Sequence, residues 1–265
     1  MLRALYTSAT GMKAQEMRID NTANNLANVN TTAFKRSHMD FADLMYTNFR
    51  APGTTVADGQ VSPTGLQIGN GVRMVSTNKH FAQGTSEQTD NPLDIAIEGD
   101  GFFQVQGQNG EIRYTRAGSF RMDNQGRLVT PDGLLLVPNL TIPTGLDLNK
   151  ITIGANGAIE GAPTQSDQPP TQIGQIQIAT FLNPSGLSSE GGNLYASSVA
   201  SGQPQVANPG SLGFGILRSR ALEGSNVEVV TELISLISAQ RAYEINSRAI
   251  RAGDEMLSTS VDIVR

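Results

Sequence analysis

Leu2, Leu5, Ala9, Met12, Glu16, Ile19, Ala23 and Leu26 are spaced alternately three and four residues apart, a heptad seam of almost four repeats whose one polar member is Glu16. At the other end of the 265-residue chain, Val229, Leu233, Leu236, Gln240, Tyr243, Ser247, Ile250, Asp254, Leu257 and Val261 alternate in the same way. Both extremities are therefore predicted to be long helices of matching character. Ser225 followed three residues later by Glu228 has the pattern of a capping box, which predicts the start of the last helix at that point. This helix carries a second apolar stripe, Val230, Ile234, Ile237, Ile245, Ala249, Ala252 and Met256, offset by one residue and so by about 100°. One partner helix cannot cover both stripes. Ordering a residue costs about 1–2 kcal/mol of backbone entropy, and burying a Leu or Ile returns about 1.5–3 kcal/mol. A helix pair with one face still wet is thus near break-even. The simplest additional surface is another copy of the chain.

Between the ends the period changes to two, with Gly, Asn-Gly and Asp-Gly turn signals recurring along it. Strands are predicted around 93–97, 102–106, 111–115, 126–130 and 173–178. The fold class that follows is α+β: a discontinuous terminal helical, coiled-coil domain (1–32 with 225–265) and an inserted all-β domain (71–212). A connecting segment (33–70 with 213–224) joins them and includes an extended loop rich in Gly, Thr and Pro.

Composition narrows the function classes. Charged residues make up 16% of the chain and the net charge is −5, with no basic run longer than Lys35-Arg36, so nothing favours nucleic acid. The longest apolar run, Leu134 to Val137, is far short of the ~20 residues that span a bilayer, so no membrane insertion is expected. The first fifteen residues lack the apolar core of a secretory signal. Without Cys there is no disulfide, thiolate zinc site or thiol nucleophile, and His38 and His80 are the only imidazoles. No cofactor or metal is expected.

Candidate sites resolve into turns. Glu98-Gly99-Asp100-Gly101 lacks the third glycine of a dinucleotide loop, since position 104 is Gln104, and reads as a tight turn. Asp123 to Gly126 lacks the alternating ligands of a calcium loop and reads as a hairpin. Asp94, Glu98 and Asp100 could supply a carboxylate pair for glycoside hydrolysis, although the chain has no Trp and few other aromatics to line a sugar cleft. Neither His lies in a catalytic or zinc-binding frame. Asn24, Asn25, Asn28 and Asn30 form an amide-rich run with Thr22, Thr31 and Thr32. It is either a solvated helix end with its caps or a set of amides that fix the register of packed helices, with Gln240 and Asn246 as counterparts.

Several runs carry a family resemblance. NNLANVNTTAFK (24–35) and AQRAYEINSRAI (239–250) resemble the terminal signatures of flagellar rod and hook proteins, and SPTGLQIGNGVR (62–73), IEGDGFFQV (97–105) and YTRAGSF (114–120) add internal matches. Ala33 stands where many of these axial proteins have Gly; if the turn there needs positive φ, Ala33 bears a steric cost. The resemblance implies a non-enzymatic structural subunit that is exported unfolded by the flagellar type III apparatus. It further implies polymerisation into a hollow helical tube, with the terminal helices inside and the β domain outside. The chain has room for one modest β domain, which favours the rigid distal rod over a hook subunit; a proximal rod or hook subunit is the alternative within the family. A secreted polysaccharide hydrolase using Asp94 and Asp100 is the alternative outside it. The implied neighbours are copies of the chain, proximal rod and hook proteins, and the P-ring and L-ring proteins. The implied place is the basal body between periplasm and outer membrane. Helix packing and assembly are expected from Leu2, Leu5, Met12, Ile19, Leu26, Asn25, Asn28, Leu233, Ile234, Leu236, Ile237, Gln240, Tyr243, Ile250 and Leu257. Rigidity is expected from the segment 49–66, with Phe49, Pro52, Pro63 and Leu66.

Overall fold

The computed structural model describes residues 2–263 apart from 54, 58–59, 62, 108, 144–145, 147–149 and 163–170. The fold is α+β. Helix α1 (Leu2–Ala27) and helix α2 (Val229–Ile263) stand at the two ends of a long series of strands. The chain forms two compact units. One comprises Met1–Ala27, Ser37–Asn78 and Glu228–Arg265; the other comprises Asn28–Arg36 and Lys79–Val227.

In the helical unit, α1 and α2 lie antiparallel: Leu5 meets Gly253 and Gly11 meets Asn246, so one numbering rises as the other falls. On α2 the buried or closely approached positions recur every seven residues one place ahead of the predicted seam, whereas on α1 the predicted Leu5 keeps its contact and Gly11 and Ala14 join it. The buried or closely approached positions are Gly11, Ala14, Thr22 and Asn25 on α1 and Glu232, Ala239, Asn246 and Gly253 on α2. Glycine sets the closest approaches of the two helices. A Cβ on Gly11 would come within 3.1 Å of the Asn246 amide, and one on Gly253 within 2.7 Å of Leu5 Cδ2. A mid-helix Gly costs about 1 kcal/mol relative to Ala, a cost offset here by close approach of the two backbones.

Helix α2 begins at Val229, later than the capping-box reading implies. The Ser225 hydroxyl accepts from the Val227 N–H at 3.3 Å, and because both residues precede Val229 this bond closes a turn ahead of the helix. The first helical bond runs from the Glu232 N–H to Glu228 O at 3.0 Å.

Residues 37–78 run out and back as a β-ribbon within the same unit. Ser37–Asp43 pairs with Val72–Lys79, Thr47–Arg50 with Leu66–Ile68, and Thr55–Ala57 with Gln60–Val61. The segment 49–66, where rigidity was expected within the extended loop, carries paired strand at 49–50, 55–57, 60–61 and 66; residues 54, 58–59 and 62 lie outside the described residues. Glycine permits the tight passages. At Gly65 a Cβ would stand 2.7 Å from Arg50 O, and Gly71, at φ +114°, passes against Thr10 Oγ1, the same atom that accepts from the Val72 N–H at 3.4 Å.

The β unit is built around Phe102–Gln106. This strand pairs along one edge with Ile112–Thr115, and its other edge is shared by Ile178–Thr180 and Leu135–Val137, all antiparallel. Alternation then buries both its faces. Phe103 and Val105 are fully enclosed, Phe103 in an aliphatic core with Ile95, Ile97, Leu136 and Ile178, while Phe102 packs in an aromatic cluster with Tyr114, Phe181 and Tyr195. A separate three-stranded sheet (Thr152–Ile153, Ala158–Gly161, Thr171–Gln175) lies in the same unit.

The unit boundaries differ from the sequence-based division at 33–70 and 213–224. Strands Ile216–Ser219 and Ala221–Glu223 pair with Ile95–Glu98 and Ser86–Gln88, which brings 213–224 into the β unit, and 28–36 folds there too. Strands of three and four residues leave little periodicity to read.

Candidate assembly surface

The phase of the helix pair decides which side chains are left outside. Both apolar stripes of α2 are largely uncovered within the chain. Val230 is 64%, Ile234 60% and Ile245 66% exposed, and Leu233, Ile237, Tyr243 and Met256 are also open. Leu236, Ile250 and Leu257 are half-buried and Gln240 is exposed. On α1, Leu2 is 76% exposed, while Leu5, Met12, Ile19 and Leu26 are half-buried. Most of the predicted apolar assembly residues thus lie along the rims and outer faces of the pair, while Leu5 stands at the helix contact against Gly253. The close approaches between the helices were hidden from the apolar pattern because the residues that make them, Gly11, Gly253 and Asn246, do not register in it.

The amide run divides by position. Asn25 is buried and spends its side chain on a backbone: it accepts from the Ser37 N–H at 2.9 Å and donates to Ser37 O at 3.0 Å, and Asn21 donates to the same carbonyl at 2.8 Å. It fixes the ribbon's first strand to α1 instead of joining helix to helix. Asn28, in the β unit, accepts from the Thr31 hydroxyl at 3.1 Å in a turn. Asn246 lies against Gly11.

The ribbon adds a second set of open apolar side chains, Met45, Tyr46, Phe49, Leu66, Ile68 and Val75. Phe49 lies under the Arg3 guanidinium, 4.9 Å from the ring centroid, a cation–π contact to the first turn of α1. Pro52 and Pro63 are exposed, and Leu66 pairs with Arg50.

Two of the carboxylates considered for hydrolysis, Asp94 and Glu98, are engaged with other side chains. Asp94 accepts from the Thr89 hydroxyl at 2.9 Å and from Asn91 Nδ2 at 2.7 Å. Glu98 pairs with Arg218 at 2.9 Å. Asp100 is the sole carboxylate among the described residues lining an open cleft of about 280 Å³, so no acid–base pair is assembled there. The turn at 98–101 uses Gly99 and Gly101 at φ +99° and +150°. In the hairpin turn at 123–126, Asp123 Oδ1 accepts from the N–H groups of Gln125 and Arg127, both at 2.8 Å, and these bonds hold its carboxyl below the ordinary range. Among the described residues no group of three His, Asp or Glu side chains could hold a metal, and no helix is long and apolar enough to cross a membrane.

The family runs have physical roles in this structure. In 114–120, Tyr114 joins the aromatic cluster, Arg116 is buried, a Cβ on Gly118 would come within 1.6 Å of Ile95 O, and Phe120 sits in the aliphatic core. In 24–35, Ala33 has φ 58°, the left-handed conformation that its glycine-bearing counterparts suggested.

Residues 5–35 match the flagella basal body rod protein family, residues 96–161 the flagellar hook protein FlgE/F/G D1 domain, and residues 218–263 the flagellar basal body rod FlgEFG protein C-terminal family. The chain is 43% identical over 265 residues to the flagellar basal-body rod protein FlgG of Borreliella burgdorferi, covering 100% of both chains. It is 44% identical over 260 residues to that of Caulobacter vibrioides, covering 98% of each. To the flagellar hook-basal body complex protein FlhP of Bacillus subtilis it is 32% identical over 270 residues, covering 97% of each. With full-length likeness at this level and the terminal helices, ribbon and β unit all falling inside it, the chain belongs to the FlgG family and is a structural rod subunit of the flagellar basal body.

Proposed function

We propose that the subunit polymerises into the distal rod, a hollow drive shaft that transmits torque to the hook. The observation that carries this reading is the outward placement of both apolar stripes of α2. Covering the open part of each large aliphatic on that helix is worth roughly 1 kcal/mol at about 25 cal/mol per Å². Several such side chains together reach the order of the association cost, about 4–15 kcal/mol. A helical array offers different neighbours to different faces of the same helix, which suits a helix with two stripes.

The ribbon 37–78 supplies stiffness in this reading. Phe49, Pro52, Pro63 and Leu66 pack between adjacent subunits and block the sliding that a bending tube requires. A two-stranded ribbon is marginal in water by itself, so neighbours on its open faces also order it. The wider setting follows from the same role: export through the flagellar type III apparatus, proximal rod and hook proteins at the two ends of the shaft, P-ring and L-ring proteins around it, and a span from periplasm to outer membrane. No step of this role needs catalysis.

Concentrating the purified full-length protein and imaging it by electron microscopy tests the reading. Straight tubes are expected, and a variant lacking 49–66 should give curved or flexible ones. Soluble monomers at every concentration would overturn polymerisation, and straight tubes from the deletion variant would overturn the ribbon's part.

A further inference from the structure

The backbone passes between the two compact units at 27/28, 36/37, 78/79 and 227/228. On the β side the segments at three of these passages, 36/37, 78/79 and 227/228, are gathered by one cluster of side chains. Lys35 is fully buried; its ammonium donates to Glu223 Oε1 at 2.6 Å and to Ala82 O at 2.8 Å. Glu223 Oε1 also accepts from the Gly84 N–H at 2.9 Å, while Oε2 faces Arg116 Nε at 3.1 Å without hydrogen-bond alignment. Arg116 Nη1 donates to the carbonyls of Gly99 and Gly101 at 2.8 and 2.6 Å. Asn226 completes the set: it accepts from the Arg36 N–H at 2.7 Å and donates to His80 O at 2.7 Å and Ala82 O at 3.1 Å.

Main-chain bonds run through the same place. The Ala33 N–H donates to Glu223 O at 2.7 Å, the His80 N–H to Arg36 O at 2.9 Å and the Asn226 N–H to Phe34 O at 3.2 Å. Two cations and one carboxylate taken out of water are costly unless every partner is in position, so the cluster is all-or-none: removing one member leaves a buried charge unmatched. Desolvation lowers the Lys35 pKa from its ordinary value, and Glu223 opposes that shift. An apolar triad would pack as well. What the ions add is geometry, because each donor accepts only one arrangement of the three segments.

We propose that Lys35, Glu223, Arg116 and Asn226 form a prebuilt joint that is complete in the free subunit and clamps 28–36, 79–84 and 221–227 to one another. None of its atoms belongs to α1, α2 or the ribbon, so it does not need those elements to be ordered. The chain therefore leaves the β unit from fixed points before any assembly takes place. This inference concerns the unassembled chain and stands apart from the polymer reading, so either can fail without the other.

Hydrogen exchange on the dilute full-length protein tests it. Amides in 33–36, 80–84 and 221–226 should exchange within about tenfold of those in the central strand 102–106. Asn226→Ala, which removes no buried charge, should speed exchange at least tenfold in 33–36 and 80–84 while leaving 102–106 unchanged. Glu223→Gln should do the same in all three segments. Acceleration by either variant supports the joint. Wild-type segments that exchange like an unstructured peptide would overturn it, as would two variants that both leave these segments unchanged.

Discussion

Asn25 and Ser37 exchange two hydrogen bonds, the Ser37 N–H to Asn25 Oδ1 at 2.9 Å and Asn25 Nδ2 to Ser37 O at 3.0 Å, so that a helix side chain stands where a neighbouring strand's peptide would. Asn25→Asp keeps the acceptor and replaces the donor with a carboxylate oxygen facing a carbonyl. A buried polar group left unmatched costs about 1–3 kcal/mol, more if charged. Asn25→Asp should therefore raise the critical concentration for assembly at least tenfold, about 1.4 kcal/mol, and Asn25→Ala by less. An unchanged critical concentration in a sedimentation assay would remove this role.

Ala33 is buried at φ 58°. A non-glycine residue in that conformation bears about 1–2 kcal/mol, but the buried methyl is worth about 0.8 kcal/mol and Gly adds unfolded-state entropy worth about 0.4–1 kcal/mol. The terms nearly cancel, so Ala33→Gly should change the denaturation midpoint little. Ala33→Val puts a β-branched residue there and should destabilise by more than about 2 kcal/mol. Equal midpoints for the two variants would contradict the assignment of strain.

Leu233 and Ile234 stand on the open faces of α2. Leu233→Asp and Ile234→Asp should abolish polymerisation while the β unit keeps its thermal transition, since neither residue belongs to that unit. Calorimetry and electron microscopy on the same samples check both halves of the statement. Normal tubes from either variant would displace that stripe from the interface.

Burial pushes the Tyr195 hydroxyl up to about 12 from an ordinary 10.0, with Arg116 opposing and Glu223 adding to the shift. Below pH 10 both folded and unfolded chains hold this proton. Between pH 10 and about 12 the unfolded chain releases it first, so stability falls as pH rises through that window, by roughly 2–3 kcal/mol in total. Lys35 and Lys79, whose pKa values desolvation lowers from 10.5, act in the opposite sense at pH values up to that figure. Comparing Tyr195→Phe with the parent by urea denaturation isolates the tyrosine: the variant should show the shallower alkaline loss.

The sequence made the two helices legible because apolar heptads are a strong periodic signal, and it made the central strand legible through Phe102, Phe103 and Val105. It did not reveal the close helix contacts at Gly11 and Gly253, which have no side chain to mark a face, nor that the buried Ala14 and Ala239 fall outside the apolar stripes. It also hid the ribbon, whose pairing is carried by backbone bonds between short, Gly- and Pro-interrupted runs such as Thr47–Arg50 and Leu66–Ile68. The joint at Lys35, Arg116 and Glu223 was out of reach for another reason: its members are far apart in the chain, and only the folded β unit brings their charges together. Asn25 was singled out from sequence, but its partner, a main-chain group twelve residues on, leaves no trace in residue type.

The contacts at Gly11 and Gly253 between α1 and α2 have a mechanical corollary. Two beams fastened along their length resist flexure far better than the same beams laid loosely together, because fastening forbids shear at their common plane. Gly11 against Asn246 and Gly253 against Leu5 act as teeth at that plane. Widening it with a bulky residue at position 11 would leave the greasy outer faces intact and still yield a compliant filament.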